Sequence, residues 1–140
     1  WKQAGASESG SYTFNWSNGE QAYGWIMRFT GHDPISPINA TANSSGRLAT
    51  PQSPSVTTTL NNTLILRLGG FDDKDITPGA PGLSGHTAIN MNDSENGSGD
   101  VSGGSGYVAQ ATAGISGTSS FALTGSQEYV TITVAITPAP

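Results

Sequence analysis

The chain has 140 residues, enough for a single domain with one hydrophobic core. Apolar residues make up 34% of it and charged residues only 11%, whereas glycine occurs 19 times and serine with threonine 34 times. This mixture disfavours helices and is typical of short strands joined by turns. The formal net charge is −5, and the few basic residues form no stripe that could neutralise a phosphate backbone. Composition therefore predicts an all-β protein and excludes nucleic acid as a partner.

Cysteine is absent, so the sequence offers neither a disulfide nor a thiolate nucleophile. No apolar run approaches the roughly 18 residues that a membrane-spanning helix needs. We therefore expect no membrane insertion.

The first predicted element is a β-hairpin at residues 11–30. Two alternating segments meet at Asn18-Gly19, the strongest short-range hairpin signal. In the resulting register every second residue projects to the same side. This aromatic face is predicted to be either one wall of a sandwich core or a stacking platform for a ligand. Its aromatic members are Tyr12, Phe14, Trp16, Tyr23, Trp25 and Phe29, and Met27 lies on the same side.

Further strands are predicted along the rest of the chain. A second hairpin is expected from Val56 to Leu68 with its turn at Asn61-Asn62. Shorter strands follow at 86–91, 106–112, 118–123 and 127–137, separated by loops rich in Gly, Asp, Ser and Pro. In the last strand, alternation predicts a buried side. That side consists of Val130, Ile132, Val134 and Ile136.

Seven or eight short strands with turn signals between them predict an antiparallel β-sandwich, jelly-roll or immunoglobulin-like in outline. Residues 1–140 form one domain in this prediction. Because two prolines stop the last strand, residues 138–140 are interpreted as a linker or the domain end.

Four stretches of the chain together resemble a known domain. They are Lys2-x-Ala4-x-x-Ser7-Glu8-x-x-Ser11-Tyr12-Thr13-Phe14, Gly31-His32-Asp33-Pro34, Ser55-Val56-Thr57-Thr58-Thr59, and Glu128-Tyr129-Val130 through Val134-Ala135-Ile136. Over nearly its whole length the chain is similar to a β-sandwich domain that recurs in bacterial secreted and surface proteins and in phage-associated proteins, most of them uncharacterised. The resemblance implies the fold and an extracellular, cell-surface or virion location, but no catalytic residue.

The resemblance also implies that strands preceding Lys2 are missing here, so that the chain starts inside the domain. A missing strand would leave an unpaired sheet edge, which must be covered by another segment. We therefore expect strand sharing between subunits. The expected partner is a second copy of the chain, in a homo-oligomer or polymer, or another structural protein.

No catalytic constellation is evident in the sequence. His32 and His86 are the two histidines, and no Gly-x-Ser-x-Gly motif accompanies them. A pair of carboxylates for glycoside cleavage could be chosen only arbitrarily from the ten acids. We expect that the protein is not an enzyme.

Six acids lie within one segment of the chain. Within it, residues 93–100 alternate hard oxygen donors with glycine, as a calcium loop does, but lack the Asp-x-Asp-x-Asp-Gly order and the final bidentate Glu. Residues 72–75 could add ligands if the two loops meet at one end of the sandwich. The segment is interpreted either as a solvated loop or as a weak calcium site, and calcium is the one cofactor considered. The candidate ligands are Asp72, Asp73, Asp75, Asp93, Glu95 and Asp100.

The chain contains six acceptor sequons for N-glycosylation, more than its Ser and Thr content predicts by chance. Each falls in a predicted turn or loop or on the outward side of the first hairpin, where a sugar would not disturb a core. The acceptors are Asn15, Asn39, Asn43, Asn61, Asn92 and Asn96.

Two functions therefore compete. The first is a non-catalytic structural or assembly protein of a cell surface, extracellular filament or virion. It is favoured by the missing strand that the resemblance implies, by the low charge and high Thr, Ser and Gly content, and by the lack of a reactive constellation. The second is a carbohydrate-binding β-sandwich module, in which the aromatics stack on polysaccharide rings and calcium orders a loop.

Overall fold

The computed structural model describes residues 1–19, 21–94 and 99–140. These residues form nine strands and no helix, so the predicted all-β fold is confirmed and no helix in this part of the chain could cross a membrane. The strands are β1 (Ile38–Leu48), β2 (Gln52–Ser53), β3 (Thr57–Thr58), β4 (Thr63–Asp72), β5 (Thr87–Asp93), β6 (Val101–Gln110), β7 (Gly114–Ile115), β8 (Ser119–Ser120) and β9 (Gln127–Ile136).

The strand pairing is nested and antiparallel throughout. The main sheet has the order β1-β9-β4-β6-β5, and two small sheets are formed by β2 with β8 and by β3 with β7. The first strand therefore pairs with the last, the second with the eighth, the third with the seventh and the fourth with the sixth. Such nesting results when one long hairpin is rolled up, as in a jelly roll. Of the two outlines that the sequence leaves open, the pairing matches the jelly roll.

The core lies on the inner face of the main sheet, which on β4 carries Ile65, Arg67, Gly69 and Phe71. Two hydrophobic clusters occupy this face, one at each end of the sheet. The larger consists of Phe71, Ile76, Leu83, Met91, Phe121 and Tyr129, and the smaller of Val56, Ile65 and Ala135.

Arg67 lies between the two clusters and is only 1% exposed. Its Nε donates a hydrogen bond to Nε2 of His86 at 2.8 Å. The two terminal nitrogens donate to the carbonyls of Pro54 at 3.1 Å and Gly117 at 2.9 Å. Burial lowers the pKa of this guanidinium from its ordinary value. The residue thus connects the main sheet to three loops of the opposing layer through hydrogen bonds rather than apolar contact.

Over most of β9 the inward and outward sides are the reverse of the prediction, although Ile136 at its end is buried as predicted. Val130 and Ile132 are 53% and 37% exposed, whereas Thr131 and Thr133 are fully buried. The buried hydroxyls are hydrogen-bonded, that of Thr131 to the carbonyl of Gln52 and that of Thr133 to the carbonyl of Pro54. Because these backbone carbonyls accept their hydrogen bonds, the threonines can line the core at little cost.

The second predicted hairpin is also wrong, although its turn and its second strand are present. Asn62 has the left-handed backbone conformation that such a turn needs, with φ of 58°. The strand before the turn, β3, pairs with β7, and the strand after it, β4, pairs with β6 and β9. The predicted loop before residue 106 is instead the first half of β6. The strands expected near residues 86–91, 118–123 and 127–137 are present as β5, β8 and β9.

The hairpin predicted at residues 11–30 is not formed. In the described part of this segment, 11–19 and 21–30, no residue belongs to a strand. We call these residues the arm. An isolated two-stranded hairpin is marginal in water, so the Asn18-Gly19 signal does not suffice without a sheet to pair with. The alternation nevertheless persists, because the side chains from Tyr23 to Phe29 are partly buried at every second position.

Candidate interaction surface

The outer face of the main sheet, opposite the core, is apolar at its centre. Its register positions include Leu64, Leu66, Leu68 and Gly70 of β4, Val130, Ile132 and Val134 of β9, and Gly103, Ser105 and Tyr107 of β6. Antiparallel sheets often expose one polar face to water. Here leucine, valine and isoleucine occupy positions where polar residues are expected. We therefore expect other residues to pack over this face and shield it from water.

The second half of the arm covers part of the outer face. Tyr23 and Trp25 pack edge to face, with ring centroids 5.0 Å apart, directly above Gly103 of β6. The hydroxyl of Tyr23 accepts a hydrogen bond from Asn90 of β5 at 3.1 Å, and burial raises the pKa of that hydroxyl. Gly103 allows this close approach, because a Cβ there would collide with both rings. The arm therefore lies over the β5 and β6 side of the sheet.

Gly103→Val is expected to displace the two aromatic rings and shift tryptophan emission to longer wavelength, because Trp25 loses its cover. Gly70→Val is the matched control. Gly70 is the direct partner of Gly103 in the ladder, on the same face, but apart from its two chain neighbours no described residue has an atom within 4 Å of the point where its Cβ would stand. Emission spectra of both variants test the contact. An unchanged spectrum for Gly103→Val would contradict the placement of the arm.

The residues directly after the arm are hydrogen-bonded to residues 137–139. Asp33 N donates to the Thr137 carbonyl at 3.1 Å, and Ala139 N donates to the Gly31 carbonyl at 2.9 Å. Gly31 has φ of +73°, a conformation that a side chain would strain. The arm therefore leaves the sandwich from a defined anchor beside residues 137–139.

The aromatic side chains in the first half of the arm are exposed to solvent. Phe14 is 73% and Trp16 55% exposed, and Tyr12 is also exposed. Hydrogen bonds from Lys2, Tyr12 and the backbone N–H of Gly5 lower the pKa of Glu8 to about 2 and close a small turn before these residues. The structure thus divides the predicted aromatic face: Tyr23, Trp25 and Phe29 are partly covered, and Tyr12, Phe14 and Trp16 are not.

The part of the outer face nearest β1 is open. Val130 and Ile132 are exposed there, and the space above Gly70 is free of atoms from the described residues. Beyond them β1 forms one edge of the main sheet, and no strand of the described residues pairs with its free side. Eleven residues long, β1 contains no proline and one charged side chain, that of Arg47. Long edges with so little charge favour pairing with another strand.

Several acidic candidates lie near one another at one end of the main sheet, where the charges of Asp73, Asp93 and Asp100 all act on Lys74. Asp75 accepts a hydrogen bond from Gln127, the Asp73 carboxylate accepts one from the N–H of Lys74, and the side chain of Asp100 is 2% exposed beside Lys74 Nζ at 3.0 Å. In the part of the chain that the structure describes, no three acids or histidines come together as a metal-binding group. Asp72 is exposed, Asp93 pairs with Ser102 in the β5–β6 ladder, and Glu95 lies outside the described residues.

Removal of the Lys74 ammonium is expected to destabilise the fold, because Asp100 is buried beside it. The hydrogen bond and charge of Asp100 raise the pKa of Lys74 above its ordinary 10.5. Since the folded-state pKa is the higher one, the contribution is complete below pH 10.5 and is lost as the pH rises through the folded value. Lys74→Met should therefore lower the melting temperature at neutral pH, and the difference from wild type should shrink at strongly alkaline pH. A difference independent of pH would contradict the ion pair.

The sequons lie at sites of different character. Asn15, Asn43 and Asn92 are exposed. The side-chain amides of Asn39 and Asn61 are used inside the fold: Asn39 bonds to Thr59 in both directions, and Asn61 accepts from Ala113 N at 2.8 Å. Asn96 lies outside the described residues. A sugar is attached at Nδ2, so on Asn39 it would replace one of the two hydrogens of the nitrogen that donates to Thr59, whereas on Asn61 the bonded Oδ1 would be left as it is.

The two histidines have different roles. His86 bonds to Arg67, and its Nδ1 lies 2.8 Å from the Ser84 carbonyl. Because Arg67 can only donate, Nε2 of His86 is the acceptor in this contact. The carboxylate of Asp33, next to His32, accepts from the N–H groups of Ile35 and Ser36 and so stabilises a turn. Neither histidine is placed in a nucleophile–base arrangement with a described serine by these contacts.

The residues that shape this surface are hard to recognise in the sequence. Gly103 and Gly70 belong to stretches that composition alone marks as flexible, and Val130 and Ile132 are apolar residues at positions that alternation assigns to the core. The alternation at residues 23–29 is the one local pattern in the sequence that indicates which residues pack against this surface.

No protein-family model, no curated protein and no solved structure matches the chain.

Proposed function

We propose that this protein is a non-catalytic structural or assembly protein of a cell surface, extracellular filament or virion, and that it joins to further copies through the outer face of its main sheet. The observation that carries the proposal is the exposure of Val130 and Ile132 beside the free edge of β1. Exposed apolar surface next to an unpaired strand is typical of a contact region.

The low charge of the surface supports the same function. Charged residues are 11% of the chain, and residues 11–17 contain none. Contact between copies at this face would therefore meet little electrostatic repulsion. The arm supplies a second apolar element, Phe14 with Trp16, that is exposed in one copy and available to another.

Sedimentation velocity of the purified chain over a wide range of concentrations tests the proposal. We expect the weight-average mass to rise with concentration above that of one chain. The double variant Val130→Thr/Ile132→Thr should remain monomeric, because threonine keeps the β-branched shape and removes apolar area. A wild-type chain that stays monomeric at the highest concentration would refute the proposal.

A carbohydrate-binding module is the second candidate, and one observation favours it. Tyr12, Phe14 and Trp16 are exposed at alternate positions, a spacing at which rings can stack on successive sugars of a polysaccharide. The calcium-ordered loop has no comparable support, since the described acids form no group that could hold a metal ion. A glycan array probed with wild type and with Phe14→Ser/Trp16→Ser, with calcium and with chelator, tests both parts. Binding lost in the variant would favour this function.

A further inference from the structure

We propose that residues 11–17 of one copy add as a strand to the free edge of β1 in a second copy, with Phe14 and Trp16 covering Ile132 and Val130. This inference rests on the proposed assembly function and specifies its contact. It names one donor segment and one acceptor edge, both within this chain.

The spacing between the two aromatic residues of the donor matches the spacing between the two apolar residues that they would cover. Asn43 and Ser45 of β1 lie opposite Ile132 and Val130 in the ladder, and all four are on the outer face. Adjacent strands are about 4.8 Å apart, so a strand added to β1 lies about 10 Å from β9. Phe14 and Trp16 are two residues apart, as Val130 and Ile132 are, and large rings can reach across the short side chains of β1.

β1 is a better acceptor than the opposite edge of the sheet. β5 has seven residues, a bulge between Ala88 and Asn90, and the charged Asp93 at its end. Bulges and charges discourage edge pairing. Asn90 is also hydrogen-bonded to Tyr23 of the arm. β1 has its own register shift, between Ile38 and Ala40, but this lies at one end and leaves nine residues, Ala40 to Leu48, paired with β9 without interruption.

Residues 11–17 reach β1 of another copy rather than β1 of their own copy, because the rest of the arm is held at the opposite side of the same sheet. Tyr23 and Trp25 hold the arm above β6, three strands from β1. To reach its own β1, the arm would have to cross the outer face near Gly70 and Val130, and the described residues leave both of them open. Because donor and acceptor are different surfaces, repeated addition joins copies head to tail, in a ring or an open filament.

Matched variants at the two edges test the acceptor. Thr41 of β1 and Thr87 of β5 are both exposed edge residues on the outer face. Thr41→Lys should abolish the concentration-dependent rise in mass, and Thr87→Lys should leave it unchanged. If wild type assembles and Thr41→Lys assembles equally well, the β1 contact is refuted while the proposed function stands. If wild type does not assemble at all, the proposed function itself fails.

The donor segment is tested in the same assay. Phe14→Ser/Trp16→Ser should remain monomeric, whereas Thr13→Ser/Asn15→Ser, on the other side of the same segment, should assemble as wild type does. Equal assembly of both double variants would overturn the assignment of the donor.

Cross-linking distinguishes contact between copies from contact within one copy. The chain has no cysteine, so each introduced thiol is unique. A Ser17→Cys chain mixed with an isotopically heavy Ser45→Cys chain and a short bismaleimide should give a mixed dimer, and a Thr87→Cys partner should not. A chain carrying both Ser17→Cys and Ser45→Cys that cross-links only internally, even when concentrated, would contradict exchange between copies.

Discussion

Replacing Arg67 by alanine is expected to lower the free energy of unfolding by about 3–5 kcal/mol, because a buried hydrogen-bonded network loses its central donor group. The carbonyls of Pro54 and Gly117 and the Nε2 of His86 would each lose the partner that Arg67 now provides. A buried acceptor without a partner costs roughly 1–3 kcal/mol. Urea unfolding of wild type and variant measures the loss.

Arg47→Ala is the matched control for this prediction. Arg47 is an exposed arginine on the same sheet, and its ion pair with Glu128 is 3.9 Å long. Exposed pairs of this kind contribute about 0–1 kcal/mol. If Arg67→Ala does not fold, Arg67→Lys keeps the charge and part of the hydrogen bonding and should show a smaller loss. Equal stabilities of the Arg67 and Arg47 alanine variants would contradict the role of Arg67.

Phe121→Ala is expected to cost about 3–5 kcal/mol through the cavity that it leaves in the larger cluster. Phe121 is fully buried and packs edge to face on Phe71, with ring centroids 5.3 Å apart. It comes from the loop after β8, where its own backbone N–H donates to the Pro51 carbonyl. The ring therefore connects the opposing layer to the main sheet.

Thermal unfolding followed by near-ultraviolet circular dichroism checks the Phe121 prediction. Ile115→Ala is the control, because Ile115 lies in the same opposing layer but is largely exposed. The control should unfold close to wild type. A Phe121 variant as stable as the control would show that the opposing layer is held to the sheet by other contacts.

The fold class could be predicted from the sequence because alternation and turn residues are local signals. The last strand is predicted almost to the residue, since β9 spans Gln127–Ile136. Its faces are reversed because alternation reveals two sides but not which of them meets the core. That choice depends on hydrogen-bond acceptors at Gln52 and Pro54, each 79 residues away along the chain from the threonine it serves. Hydrogen-bond partners so far apart along the chain produce no pattern in the neighbouring sequence.

The candidate surface could be predicted only in part, for the same reason. The aromatic alternation of residues 11–30 is visible in the sequence, and the structure places its second half against the sheet. The Asn18-Gly19 turn suggests that the two halves pair with each other. In the structure the second half meets Gly103, a glycine that no local pattern connects to Tyr23 and Trp25. The exposure of Val130 follows from the reversed faces of β9, so alternation in the sequence does not predict it either.

Hydrogen exchange measured at low and high protein concentration is the sharpest test of whether copies join through the arm and the β1 edge. We expect amides in residues 11–17 and in β1 to become protected as concentration rises, because both would enter a shared ladder. Amides of β5, at the opposite edge, should exchange equally at both concentrations. Protection that stays the same in residues 11–17 and β1, or that rises only in β5, would show that copies do not join in this way.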